Sequence, residues 1–352
     1  MFVKERVGII MTLPIAEQVW PELVATHELS SADYYFDSRA HYAAYDDMLS
    51  DAPSIGALRK AILLNKHLFS EKTVLVVGCG LSIAPLLSAT VGASRVYAHT
   101  TYAIGQFTAL AAATNGFENV ELVQGDIRTV SLPVSSVDII ICEFQGCFLF
   151  YESKLEEMLV ARDRFLKKDG LLFPDYAKMS AVGVFDGEER FERERKFKNM
   201  WGVDLTALQQ ASMREPLIDY VDEQNIVTEP AMVLELDLYK ISAGFLTQEG
   251  MSPPSGEFSV RAPQNCSVGG LACWFEVQYR SGHVPVKFTT SPYAAATIWK
   301  QTILTLQKPV NLKASESLNV RLAIRNRKGR EIDVKLSYSK NSIEKTEFFT
   351  LP

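Results

Sequence analysis

The sequence is poor in cysteine and has no cysteine pair at metal-ligand spacing. Cys79, Cys142, Cys147, Cys266 and Cys273 are odd in number and include no CxxC. That excludes a structural zinc and a disulfide framework, and it points to a reducing compartment. No apolar run approaches the roughly 18 residues of a membrane-spanning helix, so no membrane partner is expected. An excess of basic charge is also missing. With 42 Asp+Glu against 36 Lys+Arg the net charge is -6, which weighs against direct nucleic-acid binding and mildly favours cationic partners. Neither an internal repeat nor a low-complexity tract is visible. The start, MFVKERVGIIMTLPIA, places two basic residues before an apolar decade. Glu5, the early Pro14 and the missing small-residue cleavage site count against a signal peptide, so a cytoplasmic address is expected.

What is present describes a folded chain of two domains. A hydrophobic share of 47% and a charged share of 22% over 352 residues suit two ordinary cores. Residues 1–30 read as an N-terminal extension. Apolar residues then recur at helical spacing from Ala57 to Leu68. Strand-like runs at 74–78, 95–99, 120–125 and 137–142 alternate with helical patterns at 82–92 and 103–114. Continuous apolar strands separated by helices predict a doubly wound parallel sheet, assigned to 31–175. The pattern LEEMLVARDRFLKK (155–168) reads as a helix closed by Asp169-Gly170, and Phe173-Pro174-Asp175 as a boundary. Beyond it, 233–239, 273–279, 318–324 and 332–338 alternate every second residue, with Arg327–Arg330 as a hairpin turn. That predicts an antiparallel, barrel-like β domain over 176–352. The charged stretch 188–213 reads as a helical arm carrying Phe191, Phe197, Met200 and Trp201. A solvated surface helix is its plain reading, but aromatics on a protruding segment suit a partner contact better.

Two motifs carry chemistry. VLVVGCGLS (74–82) is a short strand followed by the tight turn Gly78-Cys79-Gly80, the start of a nucleotide-type loop. A nicotinamide site would want a third glycine and an acid about 20 residues on. The chain offers Ser82 or Ile83, then Thr100. More specific is CEFQGCFLFYES (142–153), where Glu143 and Glu152 flank an apolar loop at the carboxyl end of the fourth strand. Two carboxylates facing one pocket are costly without a cation between them. The planar fork of an arginine is the natural guest.

With these segments the chain resembles the protein arginine methyltransferases from about Asp33 to the C-terminus. DYYFDSRAHYAAYDDML (33–49), the glycine loop, VSLPVSSVDIIICEFQGCFLFYE, GLLFPD (170–175), NMWGVDL (199–205), REPLIDYVD (214–222) and TIWKQT (297–302) carry the resemblance. It implies an α/β Rossmann-like methyltransferase domain, an antiparallel β-barrel and a helical dimerisation arm at 188–213. The family's cofactor is S-adenosylmethionine, and the departures fall on its site. Gly78 and Gly80 are retained. The acid that grips the ribose is Thr100, the arginine that clamps the carboxylate is Ser54, and the adenine acceptor is Arg128. The strand-end acid is Val76, the third glycine is Ser82, and an N-terminal histidine is Tyr45. The Thr-His-Trp loop reads Thr297-Ile298-Trp299, so the histidine that should pair with the acid at Asp51 is missing.

A hydrogen bond to a charged group contributes about 1.5–3 kcal/mol. Losing two of them at the ribose alone weakens binding by about 100-fold or more. The expectation is therefore a chain that binds no cofactor and is no enzyme by itself. It would act as a prozyme that stabilises and activates a catalytic arginine methyltransferase paralogue, in a heterodimer or a pair of heterodimers. S-adenosylmethionine would then be bound by the partner subunit, and arginine/glycine-rich proteins would be the substrates. Glu143 and Glu152 would serve the loop's shape or orient an arginine-rich segment. Two alternatives stand beside this one: an active S-adenosylmethionine-dependent protein arginine methyltransferase with a remodelled cofactor site, and a non-catalytic binding module for arginine-rich proteins.

Overall fold

The computed structural model describes residues 43–187, 195–246, 255–326, 331–341 and 343–351. The N-terminal extension, the first part of the 33–49 segment, Phe191 and the turn Arg327–Arg330 lie outside the described residues. The chain divides into two units. One comprises the residues up to Glu143 with Val160–Phe173 and Ser281–Val284; the other holds Phe144–Leu159, Pro174–Arg280 and Pro285–Pro352.

The first unit begins with helices α1 (Ala43–Ser50), α2 (Ala52–Leu64) and α3 (Lys66–Phe69). Asp51 caps α2, its carboxylate accepting from Ser54 N at 3.1 Å, and Pro53 sits in the first turn. Both choices favour a helix start, because the first N–H groups lack helical partners. Asn65 ends α2. It is wholly buried, and its amide donates to Ala61 O and Val284 O at 2.9 Å while accepting from Val284 N at 2.8 Å. Strands β1 (Thr73–Val76), β2 (Arg95–Thr100), β3 (Val120–Gln124), β4 (Val137–Ile141) and β5 (Leu166–Phe173) alternate with helices α4 (Ala84–Thr90), α5 (Gln106–Thr114) and α6 (Leu155–Phe165). They form one parallel sheet in the order β3-β2-β1-β4-β5. Val74, Leu75, Ile140 and Ile141 are fully buried in it, as strands covered on both faces require.

The expected helix 155–168 stops at Phe165 instead. Leu166 already pairs with Val137, and Asp169-Gly170 lie inside β5 rather than capping a helix. Gly170 is needed there because a side chain would press on Leu166 and on the carbonyl of Asp138. Pairing with β4 thus overrides the helical pattern of LKK.

In the second unit, β6 (Tyr176–Val184), α7 (Thr206–Ser212), β7 (Leu217–Asp219), β8 (Ala231–Asp237), β9 (Ser255–Arg261), β10 (Cys266–Tyr279), β11 (Val286–Thr289), β12 (Gln301–Leu312), β13 (Ser317–Asn326), β14 (Ile332–Lys340) and β15 (Ile343–Leu351) build an antiparallel, barrel-like domain. One sheet runs β7-β12-β10-β6-β8 with β11 added on β10, and the other runs β15-β14-β13-β9. The two-residue period is realised directly: Leu318, Val320, Leu322 and Ile324 are buried on β13 while their neighbours face outward. Gly256 lets β9 pass so close to β8 that any side chain would overlap the Val233 carbonyl.

The arm is not a continuous helix. Residues 195–198 are helical, and the chain then reverses through a tight turn in which Met200 bridges Val203. Asn199 Oδ1 accepts from Gly202 N at 3.0 Å, and Trp201 and Gly202 adopt φ of 58° and 84°. Asn and Gly at these places stabilise the turn against the helix. Phe197 and Met200 are half-buried rather than exposed, whereas Trp201 is 99% exposed.

Candidate functional site

The glycine loop follows β1. Gly78 and Gly80 have φ of 62° and 49°, a region that side chains disfavour. The loop is held from beneath by His99 on β2, which is fully buried. Gly78 N donates to His99 Nδ1 at 3.2 Å, and His99 Nε2 lies 2.8 Å from Gly125 O. An amide N–H only donates and a carbonyl only accepts, so the two contacts together suit a proton on Nε2 and a lone pair on Nδ1. The sequence reading missed His99. Its one signal was a histidine on an otherwise apolar strand.

Every residue expected at the cofactor position has a clear place in this unit. Tyr45, on α1, packs directly against Gly80. Gly80 O accepts from Thr108 Oγ1 at 2.7 Å. Ser82 Oγ donates to Glu143 Oε2 at 2.6 Å and accepts from Ala84 N at 3.1 Å, joining the glycine loop to the segment just beyond β4. Thr100 is buried; its hydroxyl accepts from Tyr102 N at 3.1 Å and donates to Tyr102 O at 3.3 Å, and its methyl fills the space in front of Gly105. Val76 is core. Ser54 is buried on α2 with a hydroxyl that has no partner among the described residues. Arg128 is exposed and pairs with Asp126 at 2.9 Å, holding that carboxyl below its ordinary range.

The acidic loop is held by its own backbone. Gly146 N donates to Leu149 O at 3.2 Å, Tyr151 N to Cys147 O at 2.9 Å, and Lys154 N to Phe144 O at 2.8 Å. Ser153 Oγ donates to Phe144 O at 2.8 Å and accepts from Leu155 N at 3.0 Å, starting α6. Phe148, Leu149 and Glu152 have φ of 54°, 63° and 57°. The apolar residues Phe144, Phe148, Leu149 and Phe150 are buried. Gln145 is buried too, and its Oε1 has no hydrogen-bond partner among the described residues. Such an orphaned acceptor is uncommon in a folded protein; no sequence signal pointed to it. In the second unit, Trp299 packs on Phe275 and Phe288 at ring separations of 6.1 and 5.7 Å. Thr297 is buried and its O accepts from Tyr220 Oη at 3.1 Å.

The residues present do not fit S-adenosylmethionine in this arrangement. Tyr45 stands on Gly80, the Ser82 and Thr100 hydroxyls are engaged, and β2 ends without an acid. Among the described residues no group of three or more His, Cys, Asp or Glu could hold a metal ion. No described helix is long and apolar enough to cross a membrane.

Residues 75–173 match the family described as a methyltransferase domain, and 175–343 match the arginine methyltransferase oligomerization subdomain. The chain is 35% identical over 319 residues to protein arginine N-methyltransferase 1 of Schizosaccharomyces pombe, covering 90% of this chain and 92% of that one. It is also 35% identical over 312 residues to protein arginine N-methyltransferase 1 of Chlamydomonas reinhardtii, covering 88% and 89%. Among solved structures, a chain of the Trypanosoma brucei PRMT1 enzyme-prozyme heterotetrameric complex with AdoHcy superposes with a TM-score of 0.84 at 31% identity. It covers 90% of this chain and 100% of that one. Protein arginine methyltransferase 10 of Arabidopsis thaliana superposes with a TM-score of 0.77 at 25% identity, covering 90% and 100%. The two curated relatives, named as methyltransferases, overturn the expectation that this chain is a pseudoenzyme. That expectation summed the replaced contacts as independent losses, an assumption that fails for neighbours in one site.

Proposed function

This chain belongs to the protein arginine methyltransferase family, and we propose that it is a working member: an S-adenosylmethionine-dependent protein arginine N-methyltransferase with a remodelled cofactor site. The acidic loop is the observation that carries this reading. Left-handed backbone at a non-glycine residue costs about 1–3 kcal/mol and persists only where the surroundings over-determine it. Phe148, Leu149 and Glu152 all bear that strain in the segment from β4 to α6. In this reading Glu143 and Glu152 receive the guanidinium of a substrate arginine, and their carboxylates orient its fork. Arginine/glycine-rich protein segments are the substrate class.

The test is transfer of a labelled methyl group from S-adenosylmethionine to an arginine/glycine-rich protein, by the chain alone and co-expressed with a family paralogue. Glu143→Gln and Glu152→Gln, made in this chain, are each expected to cut transfer by about 100-fold or more, the usual loss when a charge-orienting group is removed. Melting should stay near wild type. Absent transfer, or transfer that survives both substitutions within a few-fold, overturns the reading.

We further propose that the working assembly includes a second chain of the family. The fully exposed indole of Trp201, on a rigid turn, supports it, as does the likeness to a chain from an enzyme-prozyme complex. Large aromatics at interface centres contribute about 2 kcal/mol or more. Trp201→Ala is therefore expected to weaken the co-purified complex by roughly 30-fold, read by sedimentation. Unchanged association removes the arm from the interface.

A further inference from the structure

The barrel-like unit holds a cavity of about 320 Å³, a size usual for small-molecule sites. None of its lining belongs to the glycine loop or the acidic loop. It lies at a fault in the sheet. β10 pairs with β12 at Val268–Val310 and next at Gly270–Thr305, so Gly269 drops out of the ladder. Bulges of this kind gather beside binding sites. Gly269 has no room for a side chain, because a Cβ there would press on the Phe185 ring at 2.8 Å. The pairing of β6 with β10 also ends here, at Val184–Gly270, and Phe185 N donates instead to Asn225 O at 2.9 Å.

The walls divide by polarity. Val184, Val221 and Ile303 supply an apolar side and pack into the core cluster that holds Ala272 and Trp274. The polar side carries two carboxylates, Asp186 and Asp222, and among the described residues no Lys, Arg or His lines the cavity. Both acids are held in place. Asp186 Oδ2 accepts from Asn225 Nδ2 at 2.8 Å, and Asp222 Oδ1 accepts from Gln224 N at 2.9 Å. The other oxygen of Asp222 has no partner among the described residues. Lys300, 5.0 Å over the Tyr220 ring, is already paired with Asp219 at 3.1 Å. Fixed negative charge beside an apolar wall repels a phosphate or carboxylate ligand and attracts a cation, and the wall favours a cation with an apolar stem.

We propose that this cavity binds an organic cation with an apolar stem, an amine or a guanidine. Its charged head pairs with Asp222, and its stem lies on Val184 and Ile303. Free amines and the side chains of lysine and arginine share this chemistry. Neither Glu143 nor Glu152 lines the cavity, so the site is separate from the transfer chemistry proposed above.

The test is titration of phenylbutylamine into the full chain, followed by the methyl signals in NMR. The methyls of Val184 and Ile303 should shift and saturate. Phenylbutanol, with the same stem and no charge, should bind about fivefold more weakly, the worth of one exposed ion pair. Asp222→Asn keeps the helix cap, since Asn and Asp cap equally well. It should weaken the amine by about fivefold and leave the alcohol unchanged. Absence of saturable shifts at these methyls overturns the proposal, as does equal binding of amine and alcohol, or of the amine to wild type and Asp222→Asn. Acetyl-Gly-Arg-Gly-amide forms a second arm. If it shifts the same methyls with the same dependence on Asp222, the site accepts a protein side chain; if the amine alone does so, the site takes free amines. No arm reads methyl transfer, so failure here leaves the proposed activity standing.

Discussion

Gly146→Ala is expected to destabilise the acidic loop by about 3 kcal/mol, at the upper end of what overpacking costs. A methyl group at Gly146 would overlap the carbonyl oxygen of Tyr151 and press on the backbone of Glu152. Neither can yield easily. Tyr151 N is bonded to Cys147 O at 2.9 Å, and Gly146 N to Leu149 O at 3.2 Å, so the loop is cross-linked on both sides of the clash. Phe148, Leu149 and Glu152 already sit in left-handed backbone, leaving no relaxed conformation to retreat to. A loss of this size lowers the melting midpoint by about 6–12 °C in a domain of this scale. Thermal melting and limited proteolysis within 144–154 are the measurements. A midpoint within 2 °C or so of wild type, with the loop still resistant, would show that it deforms more freely than its hydrogen bonds imply.

His99→Ala is expected to cost about 3–5 kcal/mol, through a different mechanism. The imidazole satisfies two backbone groups at once, Gly78 N at 3.2 Å and Gly125 O at 2.8 Å, in a place with no exposure to solvent. Each buried group left without a partner costs about 1–3 kcal/mol, and the vacated ring adds a cavity penalty. Urea unfolding followed by circular dichroism reads the difference. His99→Gln carries one acceptor and one donor and is expected to recover part of the loss, whereas His99→Leu, of similar bulk but apolar, is not. If Leu matches wild type, the ring is filler and the glycine loop is held by its other contacts.

The relatives change the weight given to the replaced cofactor residues. Counted singly, Thr100, Ser54 and Arg128 remove polar grips. In the fold two of them have other duties: Thr100 closes a turn with Tyr102, and Arg128 pairs with Asp126. Losses at neighbouring positions in one site do not add, so summing them does not reveal what the site does.

By itself the sequence determined the two layers of this protein and its family. Apolar runs such as VLVV and VDIII are readable as buried parallel strands, and LNVRLAI as one face of an antiparallel sheet, because periodicity is a local property of the chain. The glutamate loop was legible for the same reason: its acids, glycine and aromatics are near neighbours in sequence. Tertiary structure alone decided where α6 gives way to β5, because Leu166 answers to Val137 across the sheet rather than to its helical neighbours. It decided that the arm breaks at Trp201, that His99 carries the glycine loop, and that Tyr45 stands on Gly80. Three of these, Leu166 with Val137, His99 with Gly125 and Tyr45 with Gly80, join residues far apart in the chain, where no period or spacing rule reaches. Close packing then selects one partner from many that composition allows.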